Sequence, residues 1–237
     1  MISCQPLLGR FAVCWRRALM RGAVFVVLAA CVAIPAAALA QELTGLGPLD
    51  EGGQVTYFIA EGTPGSDYRA GDRDLALWAL QTWARSADGV LKFEPAAEAT
   101  ALLRVYWVPA NAGQYGEMRP LLVEGRRGAE VYIRPDARAL GEEIGERARL
   151  DALFRDTIVY LTCLHELGHA LGLGHTDDFR DVMYFFGFGG DIPEFFDRYR
   201  DELDTRADIA KVSGVSAGDL DQLRELYPPN DARPSRP

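Results

Sequence analysis

Three histidines and one glutamate form the pattern in this sequence with the clearest chemical meaning. The chain has only three histidines, and all of them lie within eleven residues. His165 and His169 are four residues apart, so in a helix both imidazoles lie on one face and can bind the same metal ion. Gly172 can end that helix in a conformation that other residues resist, and the chain can then turn back to supply His175 as a third ligand. Three neutral imidazoles on Zn²⁺ leave a fourth position for water, as in catalytic zinc sites.

Glu166 follows His165 directly, in the sequence HELGHALGLGH. On a helix its side chain lies about 100° round from that of His165, where the carboxylate can reach a metal-bound water rather than the metal. A bare HExxH pattern also occurs by chance in helices. The longer HExxHxxGxxH pattern is far more specific, and here it uses every histidine of the chain. The sequence therefore predicts one catalytic zinc ion held by His165, His169 and His175.

The residues after this motif indicate a family. Met183 comes eight residues after His175, in the sequence DVMY. The segment resembles the metzincin metalloproteases, and most closely their matrixin branch, in which a Met-turn lies beneath the zinc. Thr176 stands where matrixins usually carry serine, Asp178 matches an acidic position of that branch, and Tyr184 follows the methionine as it does in matrixins.

This resemblance implies an α/β (α+β) fold and a zinc-dependent endopeptidase. The metzincin-like catalytic domain would have a twisted mixed sheet with an N-terminal helix, the zinc-site helix and a small C-terminal helical subdomain. Glu166 would act as general base and then general acid on the zinc-activated water, while Gly172 and Met183 would have structural roles at the site. The edge strand, expected at Ala129–Arg134, would pair with an extended substrate peptide.

The sequence also differs from that of animal matrixins. No histidine is left for a second, structural zinc. We find no matching calcium loop, which leaves a calcium requirement open. The connection from Met183 to Ser216 is longer than is usual in the branch, so we expect an insertion at 185–213.

Hydrophobic patterning before residue 135 predicts the sheet. The stretch 111–128 is rich in glycine and is expected to be a loop, with at most a short strand at Leu121–Val123. An early helix is expected from a cap at Asp72 to about Ala87. Four strands are expected from β-branched and aromatic runs, at Val55–Ala60, Val90–Phe93, Leu102–Val108 and Ala129–Arg134.

The second half of the chain is expected to be mainly helical. A long helix is predicted at about 147–172 and a short one at about 193–205. Ser216 and Asp219 form an S-x-x-D capping pair for a last helix. The expected organisation is a signal peptide (1–40), a linker (41–53), a catalytic domain (54–228) with upper (54–174) and lower (175–228) subdomains, and a disordered tail (229–237).

The first forty residues are typical of a secretory signal peptide. They contain four arginines and no acid, followed by an apolar stretch and the sequence ALA at 38–40. Cleavage is therefore expected before Gln41, and the protein is expected to be secreted or periplasmic. An uncleaved membrane anchor is the alternative. A lipoprotein box at Cys31 and a twin-arginine signal at Arg16-Arg17 match their patterns less well.

Removing these residues changes the charge and the cysteine count. The full chain has 25 Lys+Arg and 34 Asp+Glu, a net charge of −9, and the loss of four arginines leaves 21 against 34, or −13. Such an acidic domain is not expected to bind nucleic acid or an anionic membrane. Only Cys163 remains, so no intramolecular disulfide can form, and we interpret it as a packing residue rather than a redox group. We expect a monomer that acts on peptides or proteins.

Other patterns carry less weight. Residues 214–218 match the nucleophile motif of serine hydrolases, but no histidine follows His175, so we interpret Ser216 as a helix cap. The aromatic residues between Tyr184 and Tyr199, Phe186 and Phe188 among them, form either a small core or part of the pocket for the residue after the scissile bond.

The alternative function is an exported zinc-binding or peptide-binding protein without turnover. Such a protein needs no carboxylate after the first histidine, so the glutamate there favours the enzyme.

Overall fold

A five-stranded sheet with helices packed against it forms the fold, in the mixed α/β class that the sequence predicts. The computed structural model describes residues 46–50, 52–109, 111 and 114–229, so the predicted signal peptide and nearly all of the predicted tail lie outside the described residues. The strands are β1 Gln54–Ile59, β2 Lys92–Pro95, β3 Leu103–Trp107, β4 Gly116–Val123 and β5 Arg126–Ile133. The α-helices in the described part of the chain are α1 Asp72–Ser86, α2 Glu142–Leu150, α3 Ala152–Leu171, α4 Ile192–Arg200 and α5 Ala217–Leu226.

The strand order places β4 at one edge of the sheet. The order is β2-β1-β3-β5-β4, and the strands run parallel except for β4, which is antiparallel to β5. The expectation that Ala129–Arg134 forms the edge is therefore wrong, because β5 has a neighbour on both sides. The expected loop at 111–128 is also wrong for most of its length. The sequence of β4, GEMRPLLV, contains glycine and proline and does not alternate, so its pairing with β5 determines the strand.

Alternation along the central strands decides which face of the sheet is buried. In β3, Leu103 and Trp107 are buried, whereas Arg104 between them is partly exposed. The buried face packs against α1 and α3. These two helices are joined by the indole N–H of Trp83, which donates to the carbonyl oxygen of Leu164 at 2.9 Å.

Helix α3, which carries the histidine motif, begins later than predicted. The helical conformation is interrupted at Asp151. Its carboxylate accepts two backbone N–H groups of the first turn of α3, each at 3.0 Å. Leu150 is 72% exposed, so the apolar spacing that predicts one long helix spans two helices. The predicted cap of α1 also differs, because Gly71 occupies the N-cap position. Asp72 instead forms a buried ion pair with Arg155 of α3.

The last helix forms as predicted. Ser216 Oγ accepts the N–H of Asp219 at 3.1 Å, and the Asp219 carboxylate accepts the N–H of Ser216 at 2.9 Å, which completes a capping box. After α5, the Tyr227 hydroxyl accepts the N–H of Leu49 and donates to the carbonyl of Leu171, both at 2.8 Å. None of the helices in the described residues has the length and apolar character needed to cross a bilayer.

Candidate metal centre

Helix α3 and the turn after it bring the predicted ligands to one place. His165 and His169 lie four residues apart on α3, and His175 follows the turn. Gly172 ends the helix with φ of +115°, in the left-handed region, and its N–H donates to two carbonyls of the last turn at 3.0 and 3.1 Å. A Cβ at Gly172 would collide with the carbonyl of Gly47. Glycine is therefore required here by the backbone conformation and by the close approach of another segment.

The three imidazoles converge on one point. His169 Nε2 lies 3.1 Å from His165 Nε2 and 3.0 Å from His175 Nε2. The ring of His169 is at 88° to both of the others. A tetrahedral Zn²⁺ with Zn–N bonds of about 2.0–2.1 Å separates its ligand nitrogens by about 3.3 Å. The observed spacing is close to what one shared ion requires, and the group can hold a metal ion.

Hydrogen bonds on the second ring nitrogen orient two of the imidazoles. His165 Nδ1 lies 2.6 Å from the carbonyl oxygen of Val182, and His169 Nδ1 lies 3.0 Å from that of Leu173. Because a carbonyl oxygen only accepts, Nδ1 carries the proton in both rings and Nε2 presents a lone pair to the centre.

The protonation of these rings favours a shared cation. Burial lowers the pKa of His165 well below its usual 6.5 and that of His169 to about 4, so both rings are neutral near pH 7. Neutral imidazoles whose lone pairs point at one another repel, and a cation between them turns this repulsion into coordination. Imidazole nitrogens are common ligands of Zn²⁺, so the residues present fit a zinc ion.

The carboxylate of Glu166 lies beside strand β4. The residue is only 7% exposed, and the nearby backbone of Met118 acts to lower the pKa of its carboxyl group. A Cβ at Gly116 would lie 2.5 Å from Glu166 Oε1. The backbone of β4 is therefore so close to the Glu166 carboxylate that only glycine fits at this position. Burial, followed by the charge of Glu117, raises the pKa of Glu166 to about 8. A bound cation acts in the opposite direction, because an adjacent positive charge favours the ionised carboxylate.

Met183 and the residue before it support the ligand helix. Met183 is fully buried, and a Cβ at Gly168 would collide with its sulfur, so its side chain packs directly on the backbone of α3. Asp219 accepts the N–H groups of Val182 at 2.9 Å and of Met183 at 3.1 Å. The Val182 carbonyl is the acceptor for His165, so Asp219 holds the peptide that orients a predicted ligand. The sequence predicts Asp219 only as a helix cap, and no local spacing indicates this second contact.

A cavity of about 440 Å³ adjoins the histidines and Glu166. Its walls come from β4 and from aromatic side chains of the expected insertion, which include Phe186, Phe195 and Phe196. Phe195 and Phe196 are also buried in the core, so the aromatic segment contributes both to a small core and to a cavity wall. Phe188 is 49% exposed and is not among the lining residues.

Cys163 is 1% exposed. Burial raises the pKa of its thiol well above the usual value, which agrees with a packing role. It is the free cysteine of the described residues.

Comparison with known proteins agrees with this geometry. The family model for matrixin matches residues 50–188, which is more than half of the chain. Macrophage metalloelastase from Oryctolagus cuniculus is 28% identical over 133 residues, which cover 55% of this chain and 27% of that protein. Interstitial collagenase from Sus scrofa is 27% identical over 199 residues, which cover 82% of this chain and 36% of that protein. The chain thus spans a minor part of the length of either relative.

Proposed function

The chain belongs to the matrixin family, and we propose that it is an exported zinc endopeptidase. Membership supports a zinc-dependent protease that acts on peptides or proteins. In our proposal His165, His169 and His175 hold a single catalytic Zn²⁺ and Glu166 is the general base and acid. The observation that carries the proposal is the convergence of three imidazoles, at Nε2 spacings of 3.0 and 3.1 Å, beside a buried glutamate.

The proposed mechanism assigns a task to each of these groups. Bound Zn²⁺ supplies a Lewis acid and lowers the pKa of water in its coordination sphere. Glu166 takes a proton from the attacking water onto its carboxylate and then donates it to the nitrogen of the leaving amine. His165 and His169 donate through Nδ1 to backbone carbonyls, which keeps their Nε2 lone pairs aimed at the ion. No covalent intermediate with the protein is required.

Several further parts of the proposal rest on the sequence. Export rests on residues 1–40, with cleavage before Gln41 and a catalytic domain at 54–228. The acidic charge supports a monomer without nucleic-acid or membrane partners. Gly172 and Met183 are assigned structural roles, which their close packing against the segments around the ligands supports.

Zinc analysis and peptide cleavage by wild type and Glu166→Gln test the proposal. Glutamine keeps the size of the side chain but cannot take up the proton, so we expect one zinc per chain in both proteins and cleavage at least about 100-fold slower in the variant. Glu225→Gln, which changes an exposed carboxylate on α5 outside the cavity lining, is the matched control and should cleave at close to the wild-type rate. Stoichiometric zinc without peptide turnover in either protein would favour the binding protein without turnover, and equal turnover in both proteins would contradict the role of Glu166.

The cavity also predicts a preference for a large apolar residue after the scissile bond. Phe186→Ala enlarges the cavity, whereas Phe188→Ala removes an aromatic ring outside its lining. We expect cleavage-site profiling with a peptide library to show a shift toward larger residues for Phe186→Ala alone. Identical profiles for Phe186→Ala and wild type would contradict this assignment of the pocket.

A further inference from the structure

Strand β4 is the edge of the sheet next to the candidate metal centre. Gly116 approaches the Glu166 carboxylate and Met118 lines the same cavity, while β4 pairs with β5 on its inner side. An edge strand offers backbone N–H and C=O groups to an extended peptide, which can add to the sheet as another strand. The distribution of these groups along β4 therefore decides how a peptide can bind.

The register shows which backbone groups of β4 point outward. Pro120 lies opposite Ala129, and the N–H of Ala129 donates to Leu102 on the β3 side at 2.7 Å. Pro120 and Ala129 are therefore an antiparallel pair without mutual hydrogen bonds, and the backbone groups of Pro120 face away from β5. Alternation gives every second residue of β4 the same outward direction.

The donors on this outward edge are unevenly distributed. The outward residues are Gly116, Met118, Pro120 and Leu122. Gly116 and Met118 line the cavity beside Glu166, and each of them carries a backbone N–H. Pro120 has no N–H, and its ring occupies the place from which a donor would reach a partner strand. A peptide carbonyl that faces Pro120 therefore meets hydrocarbon, and the next outward residue, Leu122, is 77% exposed.

We propose that Pro120 limits the main-chain recognition of substrates. The peptide pairs with β4 beside Gly116 and Met118, close to Glu166, and separates from the strand at Pro120. Selection then depends on the few residues around the scissile bond and on the apolar cavity, so the fitting substrate class is a short extended segment, such as a small peptide or an exposed loop. This inference rests on the proposed function, because it requires that a peptide is bound and cleaved.

A peptide length series tests the inference on the purified, zinc-loaded protein. Peptides with the same central residues carry zero to four extra alanines at one end or the other, and kcat/KM is measured for each. For wild type, extension at the end that lies along Pro120 should raise kcat/KM only until the peptide reaches Pro120. Pro120→Ala restores one donor, so kcat/KM should rise about three- to tenfold for the long peptides, the effect of a single hydrogen bond, and stay unchanged for the shortest.

Leu122→Ala is the control, because it trims the same exposed edge without adding a donor, and it should keep the wild-type profile. A steady rise with length at both ends in wild type, or the same plateau in Pro120→Ala, would overturn the inference. Self-association of Pro120→Ala with an unchanged profile would also overturn it and would assign Pro120 to protecting the edge from a second chain. Absence of cleavage by wild type at every length would instead refute the proposed function, and the inference with it.

Discussion

Replacing Asp219 with alanine removes an acceptor that three backbone N–H groups share. One oxygen of this buried carboxylate accepts from Val182 and Ser216, both at 2.9 Å, and the other accepts from Met183 at 3.1 Å. An unsatisfied buried donor costs about 1–3 kcal/mol. Burial raises the pKa of Asp219, so relief of the buried charge offsets part of the loss. We expect the free energy of unfolding to fall by about 3 kcal/mol, or the Tm to fall by about 6–12 °C.

Asp219→Ala should also affect the candidate metal centre, through the backbone peptide group of Val182. The Val182 carbonyl accepts from His165 Nδ1 at 2.6 Å. When the Val182 N–H loses its hydrogen-bond acceptor, this peptide group can rotate, and His165 loses the hydrogen bond that orients its ring. Loss of such support weakens metal binding by about 10–100-fold. Thermal unfolding of the zinc-free protein measures the effect on stability, and competition with a chelator measures the effect on zinc affinity.

Asp221→Ala is the matched control on the same helix. Its side chain is 77% exposed, and the carboxylate lies 3.5 Å from Arg224, so we expect a change of less than about 0.5 kcal/mol and unchanged zinc affinity. Because the folded pKa of Asp219 is raised above its unfolded value of about 4, its contribution to stability should grow as the pH falls from neutral toward that value. The difference between wild type and Asp219→Ala should therefore widen over this range. Equal Tm and equal zinc affinity in the alanine variants of Asp219 and Asp221 would refute the reasoning.

Three further predictions follow from close packing at and near the site. Gly116→Ala places a methyl group 2.5 Å from the Glu166 carboxylate, so kcat should fall about 100-fold with the zinc content unchanged, as steady-state kinetics and metal analysis will show. Gly172→Ala combines a left-handed φ with a clash against Gly47 and should lower the free energy of unfolding by more than about 3 kcal/mol in denaturant titrations; a loss below 1 kcal/mol would contradict it. Cys163 should react with iodoacetamide only after unfolding, because it is buried and its thiol pKa is raised, and rapid labelling of the native protein would disprove this.

Local spacing accounts for most of the geometry of the candidate site. Helical geometry alone puts His165 and His169 on one face, and a glycine at 172 permits the turn that returns His175, so the convergence could be predicted from eleven residues. The role of these side chains as zinc ligands stays a prediction. The support from Asp219 could not be predicted, because its contact with Val182 crosses 37 residues and depends on how two segments pack.

Strands could be predicted from the sequence where local residue types favour them, but not where a strand forms only through pairing with a neighbouring strand. Runs of β-branched and aromatic residues predict β3 and the second half of β5, whereas β4 contains Gly116 and Pro120 and becomes a strand only because β5 lies beside it. For the same reason the edge of the sheet was assigned to the wrong strand. Apolar residues continue across the break between α2 and α3 and predict a single helix, although Asp151 is a typical N-cap residue and indicates the start of α3.

The Tyr227 hydroxyl joins the first and last described segments of the folded unit, since it binds the N–H of Leu49 while donating to Leu171. Where the two ends of a domain lie side by side, a short linker can connect them and new termini can be opened elsewhere. The exposed turn at Glu124–Gly125, between β4 and β5, is a suitable place for such a cut. We therefore expect the described part of the chain to tolerate circular permutation, and insertion into a loop of another protein.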